Sequence, residues 1–444
     1  MAIVPNTTVD MVSSDRATSA EVLASWVRDA REYSVRLIDD LDDQQLIGPQ
    51  LPTINPLVWE IGHAAWFQER WVLQHTAGQP PISRESEDLF DSIAIEHDVR
   101  WDLPLPRREV MFGYARQVCD NVLELLEKTP LTDDLIYFIK LSVFHEDMHA
   151  ESFLYTRQTL GYPAPNVDSG SSVSETHTLD IDTSGDIEYP GGQFLLGADR
   201  DAVFAFDNEK WAHPVTVDPF AMSRQPVTMH QFANFVDDNA YSRRDLWSEK
   251  GWEWRQSVAA QHPAYWKREG DRWLFRHFNQ WLPLHDHHAM IHVNWYEADA
   301  FCRWSGRRLP SEAEWEFAAA GNSPSGKRHY PWGDAPPVAA SANFDWQLMG
   351  AGDTRRFAAG DTPEGCRQLL GNVWEWTSCT FGPYPDFVAD PYKEYSRSCF
   401  GIRNALRGGC WATRGRMMRN TWRNYYQPDR RDVFAGFRTC ALPS

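Results

Sequence analysis

The sequence lacks the usual marks of a secreted, membrane-spanning or disulfide-bonded protein. It has seven cysteines, an odd number, spread far apart and without a Cys-x-x-Cys pair. This pattern is typical of reduced thiols and argues against a disulfide framework or a cysteine-bound structural zinc. No stretch approaches the ~18 consecutive apolar residues of a transmembrane helix. The first residues show no basic start followed by an apolar block. We therefore expect a cytoplasmic protein that does not enter a membrane.

Positive charge is also scarce. The chain has 43 lysines and arginines against 62 aspartates and glutamates, a formal net charge of −19 at pH 7. Nucleic-acid binding needs clustered cationic side chains that neutralise phosphates, so we expect no nucleic-acid partner. A length of 444 residues is too great for one ordinary hydrophobic core, which predicts two or three domains.

The first part of the chain has the periodic apolar pattern of amphipathic helices. The first predicted helix begins at the capping box Thr18-x-x-Glu21, and the second begins at Asn55-Pro56 and runs toward Thr76. The third extends from Arg107 to Lys128, and the fourth runs from the cap Thr132 to Gly161. Four such helices predict a four-helix bundle over residues 1–162, in which side chains from facing helices meet in the core.

The rest of the chain has a different pattern. Residues 163–179 are rich in proline, serine and glycine and are predicted to form a linker. Residues 180–444 contain short segments, frequent glycine and proline, and many aromatic residues. Only residues 228–238, 295–304 and 311–320 look helical there. The second domain is therefore predicted to be turn-rich, and the fold class of the whole chain to be α+β.

Three histidines form the strongest candidate site. The string FHEDMHAES, residues 144–152, places His145 and His149 four residues apart, so both project from one otherwise apolar face of the fourth helix. His63 lies in a similar apolar row on the second helix. Because bundle cores commonly hold metals between facing helices, the three imidazoles predict a metal site. Three separately hydrogen-bonded core histidines are the alternative.

The same string is also an H-E-x-x-H motif, which on a helix is typical of a zinc peptidase with Glu146 as its general base. Such a site needs a third ligand downstream. Position 155 is Tyr155, and the next glutamate beyond the helix is Glu175, inside the predicted linker. The zinc hydrolase hypothesis therefore lacks a ligand, whereas Fe(II) with O₂ suits three imidazoles just as well.

A second histidine-rich stretch is LHDHHAMIH, residues 284–292, which contains His285, His287, His288 and His292. It has no regular face that would bring the rings together. Solvated or turn-forming histidines in a loop are commoner than metal ligands, so we assign no metal to this stretch.

A series of motifs then relates the chain to a family. In order, they are GGQFLLGAD, QPVTMHQFANFV, HVNWYEADAFCRWSGRRLPSEAEWEFAAAG, LLGNVWEWT, ALRGGCWATR and FAGFR. Together they cover nearly all of residues 185–440 and closely resemble the formylglycine-generating-enzyme-like domain, a variant of the C-type lectin fold. The helical half, with NPLVWEIGHAAWFQE and FHEDMHAESFLYTRQTLGY, resembles a DinB-like bundle.

A bundle followed by this domain is the architecture of the ergothioneine-type sulfoxide synthases, or hercynine oxygenases. The resemblance implies a non-haem Fe(II) enzyme that uses O₂ to join sulfur to the imidazole of hercynine (Nα-trimethylhistidine). The segments INPLVWEIGHAAWFQERW and FDSIAIEHDVRWDLPLP are also similar to the selenoneine synthases, relatives that attach selenium instead.

The resemblance also implies roles for individual residues. The iron ligands fall on His63, His145 and His149, in agreement with the set proposed above from helix periodicity. The catalytic tyrosine of a P-Y-x-E-Y-S segment falls on Tyr392, and the hercynine-contacting asparagine falls on Asn424, which Tyr425 and Tyr426 follow. An arginine pair falls on Arg430 and Arg431, which would either contact the donor or form structural ion pairs.

Two departures from the family pattern concern the substrates. Members that use γ-glutamylcysteine have an aspartate for the donor's amino group where this chain has Tyr426, and a phenol cannot supply that charge. A glutamine that helps to bind hercynine is replaced by Met148. We therefore expect a cysteine-type or selenosugar donor rather than γ-glutamylcysteine. Cysteine oxidation by paired copper-binding cysteines is not expected, because no second cysteine follows Cys410 closely.

The leading hypothesis is O₂-dependent C–S or C–Se bond formation at the imidazole carbon between the two nitrogens of hercynine. The alternatives are a zinc-dependent hydrolase and a non-catalytic lectin-like binding protein.

Overall fold

The computed structural model describes residues 19–167, 184–322 and 326–443. The α-helices are α1 (Ala20–Arg36), α2 (Asp43–Ile47), α3 (Leu57–Gln68), α4 (Arg84–Phe90), α5 (Arg108–Lys128), α6 (Asp133–Leu160), α7 (Met229–Asp237), α8 (Glu249–Ser257), α9 (Trp295–Trp304) and α10 (Glu312–Ala320). A π-helix, Glu69–Thr76, continues α3 without a break. The predicted linker falls largely outside the described residues, so the domain boundaries stay predictions.

The N-terminal half is a bundle of α1, α3 with its π-helical extension, α5 and α6, which pack against one another. The start of α1 differs from the prediction by one residue. Ser19 is its cap, because the Ser19 hydroxyl accepts from the Val22 amide at 3.3 Å; Thr18 lies outside the described residues. Asn55 does not cap α3. Its side-chain oxygen instead accepts from Arg100 at 2.7 Å.

Helix α6 is the longest element and lies between the two halves of the molecule. The Thr132 hydroxyl accepts from the Leu135 amide at its start, and Gly161, with φ of +67°, ends it in the left-handed conformation. Side chains on several sides of α6 are buried, charged ones included. A helix buried around most of its surface is expected where it has partners on several sides.

The second domain contains short strands in four sheets. The strands are β1 (Asp186–Tyr189), β2 (Gly192–Leu196), β3 (His213–Val217), β4 (Phe220–Ser223), β5 (Trp266–Glu269), β6 (Arg272–His277), β7 (Gln280–Pro283), β8 (Arg307–Arg308), β9 (Trp374–Thr380), β10 (Asn404–Arg407), β11 (Arg423–Tyr426), β12 (Ala435–Gly436) and β13 (Cys440–Ala441). The sheet orders are β1-β4-β13-β8, β11-β10-β9-β12, β2-β3 and β5-β6-β7. Among the pairings of these named strands, only that of β9 with β12 is parallel.

The helices of the second domain agree with the prediction at three places and differ at one. Helices α7, α9 and α10 match the three predicted stretches to within a residue or two. Helix α8 lies outside the three predicted stretches, because Gly251 within it is a poor helix former. There the Ser248 hydroxyl caps the helix by accepting from the Gly251 amide at 3.2 Å.

All seven cysteines are unpaired, as their spacing predicts. No described helix is long and apolar enough to cross a membrane. The two halves share a continuous apolar core, to which Phe153 of α6 and Phe434 of the second domain both belong. The domains are therefore packed together rather than tethered only by the linker.

Buried charged groups add to this interface. Arg416 donates to both carboxylate oxygens of Asp147 on α6, at 2.7 and 2.6 Å, and also pairs with Asp29 on α1. The Asp147 side chain is only 2% exposed and that of Arg416 6%. The pair therefore joins the second domain to two helices of the bundle.

Replacing Arg416 with methionine is expected to destabilise the protein strongly. The substitution leaves Asp147 buried without its cation, and loss of one partner from a buried ion pair costs about 3–5 kcal/mol. The free energy of unfolding, measured by urea titration, should fall by that amount. Arg243→Met is the matched control, because it breaks an exposed pair with Asp238 and should cost less than about 1 kcal/mol. Equal losses in both variants would contradict the role of this pair.

Candidate metal centre

His63, His145 and His149 converge where α3 faces α6. One nitrogen from each imidazole lies within 4.8 Å of the others. The ring centroids are 5.0 Å apart for His63–His145, 5.0 Å for His63–His149 and 4.5 Å for His145–His149. Within residues 19–167, 184–322 and 326–443, this is the only group of three or more potential ligands so arranged. The two positions on α6 are one helical turn apart, so both rings reach the same point.

Hydrogen bonds on the far side of the rings orient two of the imidazoles. Nδ1 of His63 donates to the Phe90 carbonyl at 2.7 Å, and Nδ1 of His149 donates to Oε1 of Glu60 at 2.7 Å. Each ring thereby keeps the lone pair of Nε2, the arrangement found in metal-binding histidines. The ring of His145 is held differently, because it stacks on Phe67 with a centroid distance of 3.7 Å.

The electrostatics also suit a cation. Burial, and after it the nearby His149, lower the pKa of both His63 and His145 well below the ordinary value. Both imidazoles are therefore neutral at pH 7, the form that binds metals. The ligand set contains no carboxylate, and three imidazoles fit Fe(II), although imidazole alone does not select it over zinc.

Glu146 of the H-E-x-x-H string does not face the histidines. Its carboxylate lies 3.1 Å from Arg31 on α1, with the Glu146 side chain 0% and that of Arg31 4% exposed. A peptidase would need this glutamate beside the metal-bound water. The zinc hydrolase hypothesis therefore lacks its base as well as its third ligand.

Tyr392 comes to the centre from the second domain. The centroid of its ring lies 6.3 Å from that of His145 and 4.9 Å from that of Phe67, which it meets at an interplanar angle of 73°. The ring of Trp71, on the π-helix, lies 6.3 Å away. Burial raises the pKa of the Tyr392 phenol, so the hydroxyl keeps its proton at neutral pH.

Met148 also faces the second domain, where it meets a residue that the sequence did not single out. The Tyr395 hydroxyl donates to the Met148 sulfur at 3.6 Å. The Tyr425 hydroxyl in turn donates to the Tyr395 carbonyl. Tyr395 could have been predicted from the sequence, because it lies three residues after Tyr392 in the same segment. Met148 thus lies on the helical turn between two histidines and contacts the loop that carries Tyr392.

The predicted substrate-binding residues on β11 do not share one face. Asn424 and Tyr426 alternate with Tyr425, whose ring stacks on Phe381 at 4.1 Å. Tyr425 therefore supports the site through the Tyr395 carbonyl. The side-chain oxygen of Asn424 accepts from the Tyr425 amide at 2.8 Å, so this atom is already in use.

The two arginines diverge. Arg430 binds both oxygens of Asp432 at 2.7 and 2.6 Å, and its guanidinium lies 5.3 Å from the centroid of the Tyr426 ring. Arg431 instead pairs with Glu297 at 2.8 Å. Arg430 is the one near the predicted substrate residues, whereas Arg431 takes part in an ion pair within the second domain.

Replacing Glu60 with glutamine is expected to weaken metal binding. Glu60 is 1% exposed, and its carboxylate fixes the orientation of the His149 ring. Loss of such an outer partner typically costs about 10- to 100-fold in metal affinity. Competition with a chromophoric chelator for Fe(II) or Co(II) measures this. Glu124→Gln on α5, which removes an exposed pair with Lys128, should leave the affinity unchanged; a similar loss there would exclude a specific role for Glu60.

Comparison with known proteins first defines the class of the second domain. Residues 172–442 match the family described as the sulfatase-modifying factor enzyme 1-like domain. The "Formylglycine-generating enzyme" of Mycobacterium tuberculosis is 30% identical over 46% of this chain and 76% of its own length. The C-terminal half therefore has the fold of this domain family, with the helical bundle placed before it.

The relatives that match the whole chain define the family more closely. The "Hercynine oxygenase" of Mycolicibacterium thermoresistibile is 35% identical over 94% of both chains. The "Hercynine oxygenase" of Mycobacterium tuberculosis is 35% identical over 95% of this chain and 99% of its own. The chain belongs to the hercynine oxygenase family.

Proposed function

We propose that the protein binds Fe(II) through His63, His145 and His149 and uses O₂ to form a carbon–chalcogen bond at the imidazole carbon of hercynine. The convergence of three imidazoles beside the Tyr392 phenol carries this proposal, and full-length similarity to hercynine oxygenases supports it. Fe(II), when bound, would supply the redox chemistry with O₂ and a site for a soft sulfur or selenium donor. The chain's own residues position the organic substrate and move the proton.

Tyr392 is the proposed proton donor. Its hydroxyl is protonated at neutral pH, and its ring is held on the His145 side of the centre by Phe67 and Trp71. A phenol fixed in this way delivers a proton, or a hydrogen atom, with little reorganisation. The site is lined by the bundle on one side and by the loop with Tyr392 and Tyr395 on the other.

Hercynine carries a trimethylammonium group, which aromatic faces recognise by cation–π attraction. Tyr395 and Tyr426 are only partly buried, and both belong to the second domain. We propose that these rings, with Asn424, contact hercynine. Met148 contributes an apolar thioether where relatives have a glutamine, so the pocket binds hercynine with fewer hydrogen bonds from α6.

For the donor, we propose a selenium-bearing sugar. Tyr426 replaces the carboxylate that would neutralise the amino group of γ-glutamylcysteine, and Arg430, which lies next to it, is already paired with Asp432. A sugar without an ammonium group needs no such counter-ion. The product would be selenoneine, whereas a cysteine-type donor would yield a sulfoxide precursor of ergothioneine.

The test is a coupling assay with Fe(II) and hercynine under air and under nitrogen. A selenosugar, cysteine and γ-glutamylcysteine are supplied in parallel, and the products are measured by mass spectrometry. We expect O₂-dependent product with the selenosugar and little with γ-glutamylcysteine. Product with cysteine alone would overturn the selenium assignment but not the chemistry. Zn²⁺-supported activity that is independent of O₂ would overturn both.

A further inference from the structure

A cavity lies away from the histidine centre, between the end of α6, the β6–β7 hairpin and the histidine-rich loop. Its volume is about 220 Å³. Gln158 of α6 closes one side by bonding to the hairpin backbone, with its amide nitrogen donating to the Arg276 carbonyl at 2.8 Å. The floor includes Trp411 and Phe434. Nothing in the proposed coupling reaction uses this cavity.

The lining has an unusual charge for this protein. Although acidic residues outnumber basic ones by 62 to 43 in the chain, the described residues that line the cavity include no aspartate or glutamate. They include one arginine, Arg276, and four histidines, His277, His285, His288 and His292. The cavity is therefore a local exception in a strongly negative protein.

Arg276 carries a charge that no described carboxylate neutralises. Its guanidinium donates only to backbone carbonyls, to Phe278 at 2.9 Å and to Thr159 at 3.2 Å, and stacks 4.7 Å from the Tyr265 centroid. Burial lowers the pKa of Arg276, which reflects the cost of a half-buried charge without a counter-ion. An anion in the cavity would offset this cost.

One further group in the described part of the chain, the Trp411 indole, lacks a hydrogen-bond partner that a ligand could supply. The indole nitrogen of Trp411, in a side chain only 1% exposed, has no hydrogen-bond acceptor among the described residues. A buried donor without an acceptor is rare and calls for an explanation. Burial, together with His285, lowers the pKa of His277 and of His288 to about 4, so both rings can donate or accept hydrogen bonds as neutral groups.

The same histidines do not form a metal site. The rings of His285 and His288 stack with centroids 4.4 Å apart, and no three potential ligands of this loop converge within the described residues. Apolar rings, including Phe278 and Phe434, make up much of the remaining wall. The lining thus combines one cation, neutral imidazoles and apolar surface.

We propose that this cavity binds a small organic carboxylate with a flat apolar body, its charge held by Arg276 and a second acceptor atom placed at the Trp411 indole. Aromatic walls suit a flat ligand, and a charge-assisted bond to a guanidinium is the strongest contact available there. The site is distinct from the histidine centre and does not depend on the proposed coupling reaction.

The probe is 4-fluorobenzoate, added to the full-length iron-loaded protein and followed by ¹⁹F NMR line broadening. Uncharged 4-fluorobenzamide and cationic 4-fluorobenzylamine are the comparison ligands. We expect saturable binding that is tightest for the anion. Arg276→Gln should weaken it by about tenfold or more, the usual worth of a hydrogen bond to a charged group. Arg272→Gln, which alters an exposed residue on the same strand, should leave it unchanged.

Two further variants keep the test decisive. Trp411→Phe keeps an aromatic ring but removes the N–H donor. It should weaken binding of 4-fluorobenzoate, which can be measured even if Arg276→Gln fails to fold. His63→Ala should leave probe binding intact, because the site is separate from the metal. Absence of saturable binding, equal binding of the three probes, or loss of binding in His63→Ala would each overturn the proposal.

Discussion

His63→Ala is expected to abolish metal binding and O₂-dependent coupling together. His63 is the only member of the triad on α3, so its loss leaves the pair on α6, which presents two neighbouring ligands on one side of the ion. Losing even an outer-shell partner costs up to about 100-fold, and loss of a ligand should exceed that. Fe(II) affinity and product formation are measured on the same preparation.

His75→Ala is the matched control for this experiment. His75 lies on the π-helical continuation of the same helix but is exposed and outside the triad. We expect the metal affinity and the turnover number of the His75→Ala variant to equal those of the parent protein. Full activity in His63→Ala would exclude the three-histidine centre, whatever the behaviour of the control.

Tyr392→Phe is expected to lower the turnover number by about 10²- to 10⁴-fold, the usual range for loss of a general acid. The phenyl ring keeps its packing on Phe67 and Trp71, so Fe(II) affinity and the KM for hercynine should change little. A solvent isotope effect on product formation should disappear with the hydroxyl. This separation of kcat from binding distinguishes a proton donor from a packing residue.

Tyr384→Phe serves as the control for the tyrosine. The Tyr384 hydroxyl is also buried, lies in the second domain and has no hydrogen-bond partner among the described residues. Removal of that hydroxyl should leave turnover unchanged. If Tyr392→Phe behaves in the same way, Tyr392 has only a structural role.

Local signals in the sequence predict much of the helical half. The ends of α5 and α6 lie within a residue of the predicted positions, because Thr132 and Gly161 act through short-range hydrogen bonds and backbone conformation. The predicted start of α1 is one residue too early. Thr18 and Ser19 are both good helix caps, and the hydrogen bond of the folded first turn decides between them. Helix α8 was missed because burial beside Tyr296 outweighs the low helix propensity of Gly251.

The site shows the same division between short-range and long-range information. His145 and His149 follow from helix periodicity, which brings them onto one face. The contact of Glu60 with His149 joins residues 89 positions apart, so periodicity alone cannot pair them. The feature of the sequence that indicates a role for Glu60 is its position as the only charged residue in the apolar run LVWEIGHAAWFQ. The pairing of Arg431 with Glu297 likewise joins residues 134 positions apart, whereas Arg430 pairs with Asp432 only two residues away.

The stretch of α6 from Glu146 to Glu151 has a consequence for recombining these domains. Glu146 pairs with α1, whereas Asp147, Met148 and Glu151 contact the second domain through Arg416, Tyr395 and Trp374. A chimera joined at the linker would combine one parent's helix with the other parent's complementary surface. Domain swaps within this family should therefore transfer residues 147, 148 and 151 together with the second domain, although these residues lie in the N-terminal bundle.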